Sequence, residues 1–553
     1  MKFVTAFFSF LILIFLLFNF VSFGNVYSSQ LSFTNQDGSP FDGKFDDGTG
    51  AAFNFFLNDT ASSVSIEVKD VENNSVVATI DGGARSSGEV TIEWDGAGTE
   101  QGKFYYFEIT AEQPSYSNTE WTYFYDSGGI GIFSRGGDVV TDMKSDLFGL
   151  FYAPNNGGPL GKGITIYNPD GSYHDPFLVA ADISSGGTID WGTGDPMVGG
   201  FFDDLGRFYV SSIQFGEIRR LNRDSSITAV VTGLTTPKGI FIRGTGNQRI
   251  IYACAANQIL KISIGDEDIF LGTPEVIAEF SGGFPKDVAL DDEGFLYTNL
   301  RATDNDLNAT GAGLYKFSLA GTLPVVDADA IWGIGEAQSH KVAELQFDFG
   351  TDRNSASDDI LYYSTRAETA NNDDGIWKVD DLNAVFATSS PIITELELYG
   401  ADDNINARAG IMLDAAGNLI LMENSNEHIF FITPPNAGAT NSFTTASRDS
   451  FMVDFSLGIN DNQIPNEFVL KQNYPNPFNP STNIQFSIPK ESNVTLTVYN
   501  SLGEEAATLI NNVRKSSGTY DIHFDASGLP SGIYIYRLQA GNKTLTNKMI
   551  FMK

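Results

Sequence analysis

Lys286-Asp287-Val288-Ala289-Leu290-Asp291-Asp292-Glu293-Gly294-Phe295-Leu296-Tyr297 is the stretch on which the fold turns. Two short apolar runs flank an acidic turn that ends in glycine. Aspartate caps such a turn through its own side chain, and glycine accepts the left-handed backbone it needs, so the phrase is strand, turn, strand. It recurs as Gly200–Val210, as Lys238–Ile242 with Arg249–Ala253, as Leu345–Asp348 with Asp359–Tyr363, and as Gly410–Leu421. Each copy leads into a third strand: Ile218–Leu221, Ile259–Ile262, Leu314–Phe317, Ile376–Val379 or Ile429–Ile432. A weaker copy runs from Leu147 to Ala153 and ends in Ile164–Tyr167. Third strands return every ~40–60 residues, the blade period of a β-propeller. Six copies predict six blades over residues 121–449, with five or seven as alternatives, and short strands between Trp121 and Phe133 completing the ring. Another repeated β architecture is the competing reading.

Outward from this repeat the pattern stays β. Val64, Ile66 and Val68 alternate with polar residues, as do Val90, Ile92 and Trp94, and then Tyr105, Phe107 and Ile109. These runs predict a sandwich over 30–115. Past a linker at 450–463, the alternating runs Ile484–Ile488 and Val494–Val498, then Ile533–Ile535 and Leu545–Phe551, predict a second small sandwich over 464–553. Pro475, Pro477 and Pro480 fix φ around Asn476, Phe478 and Asn479, so this stretch is a rigid opening turn and not a helix or a central strand. Helix periodicity is nearly absent, while 56 glycines, 44 phenylalanines and 21 tyrosines suit a turn-rich all-β chain.

Composition bounds the class of function. The 69 acidic residues against 33 Lys and Arg repel nucleic acid phosphates and anionic lipid. Charged residues are only 18% and hydrophobic ones 42%, so the acidity belongs to folded domains. One cysteine, Cys254, excludes an internal disulfide framework and reads as a small buried hydrophobe. Lys2 followed by the apolar run Phe3–Phe20, with Ser22 and Gly24 at a cleavage site, predicts a signal peptide over 1–24. The run could just span a bilayer, so an uncleaved anchor is the alternative; with cleavage no integral membrane span is expected.

Three resemblances can be stated on these residues. The order Pro475-Asn476-Pro477-Phe478-Asn479-Pro480, then Leu502-Gly503, then Gly532-Ile533-Tyr534, resembles the C-terminal sorting domain of type IX secretion. That resemblance implies recognition by the secretion machinery, an extracellular or outer-surface location reached through the periplasm, and anchoring to surface polysaccharide as one outcome. Gly88–Gly96 with Gly102–Tyr106 resembles the Ig-like domain of flagellar hook-capping proteins, in which the Trp94-Asp95-Gly96 turn joins two strands; its implied role is structural. Leu419–Ile429 resembles NHL and lactonase-like propellers.

Lactonase-like propellers hold a divalent cation at the channel mouth through Glu, Asn and Asp. The closest positions here carry Lys238 and Lys286, and ammonium groups cannot ligate a cation that needs oxygen donors. The two lysines, with Arg408, instead suggest a basic ring for an anionic ligand; pairing of each lysine with an aspartate such as Asp287 or Asp291 is the alternative. Catalytic signatures are otherwise missing: His174, His340, His428 and His523 are scattered, without His-Glu-x-x-His or Gly-x-Ser-x-Gly. No cofactor is expected. The clusters Asp304–Asn308 and Asp402–Asn406 leave loop calcium open. The expectation is therefore an exported modular binding protein with no nucleic acid partner, its propeller meeting a glycan or an extracellular protein through the insertions 301–312 and 364–374, with Trp191, Trp332 and Trp377 as stacking candidates. An extracellular lactonase-like or polysaccharide-acting enzyme is the alternative, and a structural surface protein the third reading.

Overall fold

The computed structural model describes residues 26–45, 50–113, 120–127, 136–301, 313–335, 342–350, 356–365, 375–394, 397–398, 410–423, 428–435, 442–453 and 468–552, apart from 159, 195, 223, 268, 491, 516, 517 and 542. The expected signal peptide, Arg408, both Asp/Asn clusters and most of the two long insertions lie outside them. The chain divides into two compact units, Met1–Phe455 and Ser456–Lys553. Both are all-β.

The first unit holds six four-stranded sheets. Blade one is Asp138–Val139, Phe151–Asn156, Lys162–Tyr167 and Tyr173–Val179. Blade two follows as Met197–Phe202, Phe208–Ser212, Glu217–Leu221 and Ile227–Val231, and blade three as Pro237–Arg243, Ile250–Ala255, Gln258–Ser263 and Glu275–Glu279. Blade four is Phe284–Leu290, Leu296–Arg301, Gly313–Phe317 and Ala330–Gly335; blade five is Val342–Asp348, Ile360–Thr365, Gly375–Val379 and Ser389–Thr394. Blade six takes Gly410–Leu413, Leu419–Glu423 and His428–Thr433 from one end of the repeat region and its outer strand, Thr122–Asp126, from the other. The first strands pack in sequence around a central channel, with blade six against blade one. The six blades and the ring-closing strand agree with the repeat; the innermost strand of blade one was missed, because only two residues after Gly136-Gly137 pair.

The repeated phrase has a physical cause. Asp291 accepts the Phe295 N–H at 2.8 Å through Oδ1 and the Tyr297 hydroxyl at 2.8 Å through Oδ2. Asp203 does the same with Arg207 N–H at 3.0 Å and Tyr209 Oη at 3.1 Å. The aspartate thus ties the turn to the second strand, and a buried carboxylate is retained there because it is fully engaged.

The N-terminal sandwich is not a contiguous piece of chain. One sheet pairs Ser28–Asn35, Ala51–Leu57 and Gly88–Trp94. The other runs Ser442–Ala446, Phe104–Glu112, Ala61–Asp70, Val76–Arg85, with Phe451–Met452 also on Phe104–Glu112. Residues 442–452, expected in the propeller and the linker, therefore complete the sandwich, and the propeller is an insertion within it. Trp94 and Phe451 are buried in its core with Phe53 and Phe107. Gly96 takes φ +78°, and a Cβ there would run into the Phe45 ring, which explains the Trp-Asp-Gly turn. Tyr27 packs edge-on against Phe148 of the propeller at 5.8 Å and Phe443 of the last sandwich strand at 5.9 Å.

The second unit is a contiguous sandwich of Val469–Leu470, Ser481–Ile488 and Gly518–Asp525 against Glu505–Lys515, Ser492–Tyr499, Gly532–Ala540 and Lys543–Phe551. Its opening turn is locked to its final strand. Asn476 Oδ1 accepts the Ile550 N–H at 2.8 Å, the Phe478 N–H reaches Ile550 O at 3.0 Å, and Phe478 stacks on Phe551 at 5.1 Å. Tyr534 donates to Pro530 O at 2.7 Å. Leu502 points into solvent beside Gly503, on a turn capped by Asn500.

Candidate functional site

Each blade brings the same register position of its innermost strand to the channel. In blades two to five the pairing slips at Val198/Gly200, Pro237/Ile240, Pro285/Val288 and Val342/Leu345, a bulge repeated around the ring. Gly199 and Gly239 sit in it in blades two and three, Gly410 opens the innermost strand of blade six, and Gly136 precedes that of blade one. A Cβ on Gly136 would meet Gly199 Cα at 3.0 Å, and one on Gly410 would meet Gly136 Cα at 2.8 Å. Only glycine lets the backbones approach this closely. Blades four and five place Asp287 and Glu344 at the matching positions.

Asp287 and Glu344 hydrogen-bond to each other. Asp287 Oδ1 also accepts the Val288 N–H at 2.9 Å, and Oδ2 the Leu345 N–H of the next blade at 2.8 Å. Burial pushes both carboxyls above the usual carboxylate range. The Asp287 charge raises Glu344 further, while Glu344 holds Asp287 down through their contact, so the two carboxyls titrate as one coupled pair. Lys286 favours the charged form of both acids, and Arg301 that of Glu344. A Cβ placed on Gly136 would lie 3.7 Å from Glu344 Oε2, so this side chain reaches across the channel axis. The space beside the pair is small, about 40 Å³.

Lys238 and Lys286 do occupy equivalent positions of adjacent blades, as expected. They are buried, at 8% and 9% exposure, and share their surroundings with the acid pair. Cys254, fully buried with its thiol pushed well up by burial, feels the charges of Asp287, Lys238 and Glu344 together. Among the described residues Lys238, Lys286 and Arg301 form a charge-mixed cluster with the two acids, and Arg408, the third member of the expected basic ring, lies outside them. Glu344 and Arg301 were missed by sequence reasoning. Glu344 precedes Leu345 as Asp287 precedes Val288, a signal present once the phrases are aligned on the bulge.

The donors do not fit a divalent cation. Both Asp287 oxygens carry main-chain N–H groups, Lys286 acts on both acids, and among the described residues no three His, Cys, Asp or Glu side chains are placed to hold a metal. The tryptophans offer no stacking platform: Trp191 is fully buried, its Nε1 donating to Ala180 O at 2.8 Å, Trp332 donates to Leu382 O at 3.2 Å, and Trp377 lies in the core.

Comparison with known proteins adds the following. Residues 472–552 match the family model of the secretion system C-terminal sorting domain, and residues 41–115 that of the FlgD Ig-like domain. No curated protein matches the chain. Among solved structures, virginiamycin B lyase from Staphylococcus aureus is similar at 14% identity, over 57% of this chain and 99% of its own, with a TM-score of 0.32. A gluconolactonase from Xanthomonas campestris is 10% identical over 59% of this chain and 90% of its own, with a TM-score of 0.35. A protein of unknown function from Bacteroides thetaiotaomicron is 10% identical over 74% of this chain and 98% of its own, with a TM-score of 0.34. The sorting tail implies contact with the type IX secretion machinery and delivery to the cell surface or the extracellular space. No helix among the described residues is long and apolar enough to cross a membrane.

Proposed function

We propose that the chain is an exported binding protein, carried out by its sorting domain, whose propeller presents a rigid face to a surface glycan or an extracellular protein. The observation that carries this reading is how little space the described residues leave beside the acid pair. The ionisable groups that converge there are buried, compensate one another and border a space of about 40 Å³, too small for a sugar. Such a cluster supports a scaffold more readily than an acid–base centre.

The hydrogen-bonded acids Asp287 and Glu344 are the one feature that favours the enzymic alternative, because two coupled carboxyls can divide acid and base roles. The two readings separate in one experiment. The exported chain is screened against surface polysaccharides, sugar lactones and extracellular proteins, with Asp287→Asn and Glu344→Gln in parallel. Saturable binding retained by both variants is expected. Turnover of a lactone or polysaccharide that both variants abolish would overturn the binding reading.

A further inference from the structure

A groove of about 630 Å³ runs between blades three and four, within the size range of pockets that hold a small ligand. One side of it is a face of blade three. Tyr252 pairs with Phe241 on the innermost strand and with Lys261 on the third strand, and Arg243 follows Phe241 by two residues, so Arg243, Tyr252 and Lys261 share that face. Side chains directly opposite one another in a sheet stand about 5 Å apart and diagonal ones about 7–8 Å, which sets both cations around the tyrosine. The other side is aliphatic. Blade four contributes Leu290, with Leu319 and Leu323 from the connection between its third and fourth strands, and Ile277 joins them from the outer strand of blade three.

Two observations mark the groove as a place for an anion. In a chain with 69 acidic residues against 33 Lys and Arg, the groove is lined by three basic side chains and by no acidic one among the described residues. The Tyr252 side chain is only 7% exposed, yet its hydroxyl makes no hydrogen bond among the described residues. Burial raises this phenol, and Lys261 and Arg243 both act in the opposite direction. A buried hydroxyl ordinarily finds a partner in the protein, and one that borders a groove beside two cations is set to donate to a bound anion. Further donors remain. Arg243 places Nη1 on Asp291 O and Nη2 on Asp292 O and Oδ1, at 3.2 Å and 3.1 Å, which leaves Nε and the second Nη1 hydrogen. Lys261 meets Glu275 at 3.2 Å, and Glu275 is exposed. Surface pairs of this kind are weak, so Glu275 can yield Lys261 to a ligand. Arg249, the third base, is held by Asp204 and Gly265 O and stays with the fold.

We propose that this groove binds a monocarboxylate with an apolar body, its carboxylate taking the Tyr252 hydroxyl, the Lys261 ammonium and the spare N–H groups of Arg243, and its body lying along the leucines. Asp292 and Glu275 already answer one charge each, so a single negative charge suits the site better than a phosphate dianion. The aliphatic side would leave a wholly polar ligand unmatched. The groove lies at the end of the blades that carries the turns between first and second strands. Leu296–Arg301 and Ile360–Thr365 lead into the long insertions at the other end, so the proposal stands apart from what the insertions recognise.

The test is isothermal titration of the full chain with 4-phenylbutyrate, 4-phenylbutanol and 4-phenylbutylamine at low ionic strength. The carboxylate is expected to bind roughly tenfold more tightly than the alcohol, and the amine to give no heat. Tyr252→Phe removes a hydroxyl that the fold does not use, so it should leave melting unaltered and weaken the carboxylate roughly fivefold. Lys261→Met should weaken the carboxylate roughly tenfold and leave the alcohol unchanged, and raised salt should act in the same direction. Glu275→Gln, which removes the rival for Lys261, should tighten the carboxylate roughly threefold, a gain that a purely structural Glu275 would not give. No binding of the carboxylate, equal binding of acid and alcohol, indifference of the carboxylate to Tyr252→Phe and Lys261→Met, or weaker binding in Glu275→Gln would overturn the proposal.

Discussion

The two sandwiches of this chain share a layered design and are assembled in opposite ways. In the C-terminal one, every strand comes from within the same ninety or so residues, and opening turn and last strand are bolted together through Asn476, Phe478 and Ile550. In the N-terminal one, the strand Phe104–Glu112 pairs on one side with its sequence neighbour Ala61–Asp70 and on the other with Ser442–Ala446, where Thr110 and Thr444, 334 residues apart, hydrogen-bond at 2.8 Å. A contiguous domain pays its loop-closure entropy locally, whereas the split one closes only after the inserted propeller has brought its ends together. That makes the first a detachable cassette and the second a clasp around the propeller.

The largest expected effect follows directly. Expressed alone, residues 464–553 should show cooperative unfolding by circular dichroism, while residues 26–115 should show none, because half the surface of Phe104–Glu112 and the Phe451 ring are missing. Cooperative melting of the 26–115 fragment would break the comparison. Next in size are two core truncations in the full chain. Phe451 stacks on Phe33 at 4.2 Å and lies 6.2 Å from Trp94, so Phe451→Ala should cost about 3–5 kcal/mol. It should lower the melting of the propeller-containing unit alone. Phe478→Ala should cost a similar ~3–5 kcal/mol, confined to the C-terminal unit. Calorimetry with two resolved transitions reads both, and a shift in the wrong transition would contradict the division into units.

What the sequence made legible follows the same line between local and distant. The Asp-x-x-Gly turns at Asp203, Asp291 and Asp414 are local devices, bonded within four residues, and with the recurring third strands they announced the blades. The opening turn at Pro475–Pro480 is local as well. Ser442-Phe443-Thr444-Thr445-Ala446 is an ordinary alternating strand, and nothing in its five residues says that its partner lies before the propeller. The channel was half legible for a related reason. Lys238 and Lys286 stood out by register, but the bulge shifts the pairing by one residue, so Asp287 and Glu344, not the lysines, carry the hydrogen-bonded pair. The tryptophans misled because aromatic residues in a propeller core and on a binding face have the same composition.

A smaller effect tests the tightness of the channel against the looser turns. Gly239 has no room for a methyl group, since its Cβ would strike the Asp287 side chain and main chain, whereas a Cβ on Gly294 would meet nothing within 4 Å and only its φ of +86° resists. Gly239→Ala should therefore cost about 1–3 kcal/mol through overpacking and disturb the acid pair. Gly294→Ala should cost about 1 kcal/mol and leave the pair intact. Equal costs would mean that the first strands are not packed backbone to backbone.

The smallest effect is the most specific to the acid pair. Glu344 has a folded-state pKa raised by burial and by the Asp287 charge, against the favourable charges of Lys286 and Arg301. Below the ordinary carboxylate range both the folded and the unfolded chain hold this proton, and the penalty is absent. As pH rises from that range toward the raised value, the unfolded chain loses the proton first, so the folded state binds more protons and stability falls. Above the raised value the slope vanishes. Asp138 and Asp414, pushed up to about 7 by burial, and Asp287 and Asp359, pushed up to about 6, act with the same sign and set the background. Glu344→Gln keeps the hydrogen-bond donor to Asp287 without an ionisable proton. It should therefore remove part of the fall in stability between pH 5 and pH 8, about 1 kcal/mol in order of magnitude, while the background persists. Denaturant unfolding of both proteins at pH 5 and pH 8 measures the difference. An unchanged difference would mean that Glu344 titrates like a solvated carboxylate and that the two blades do not share a proton.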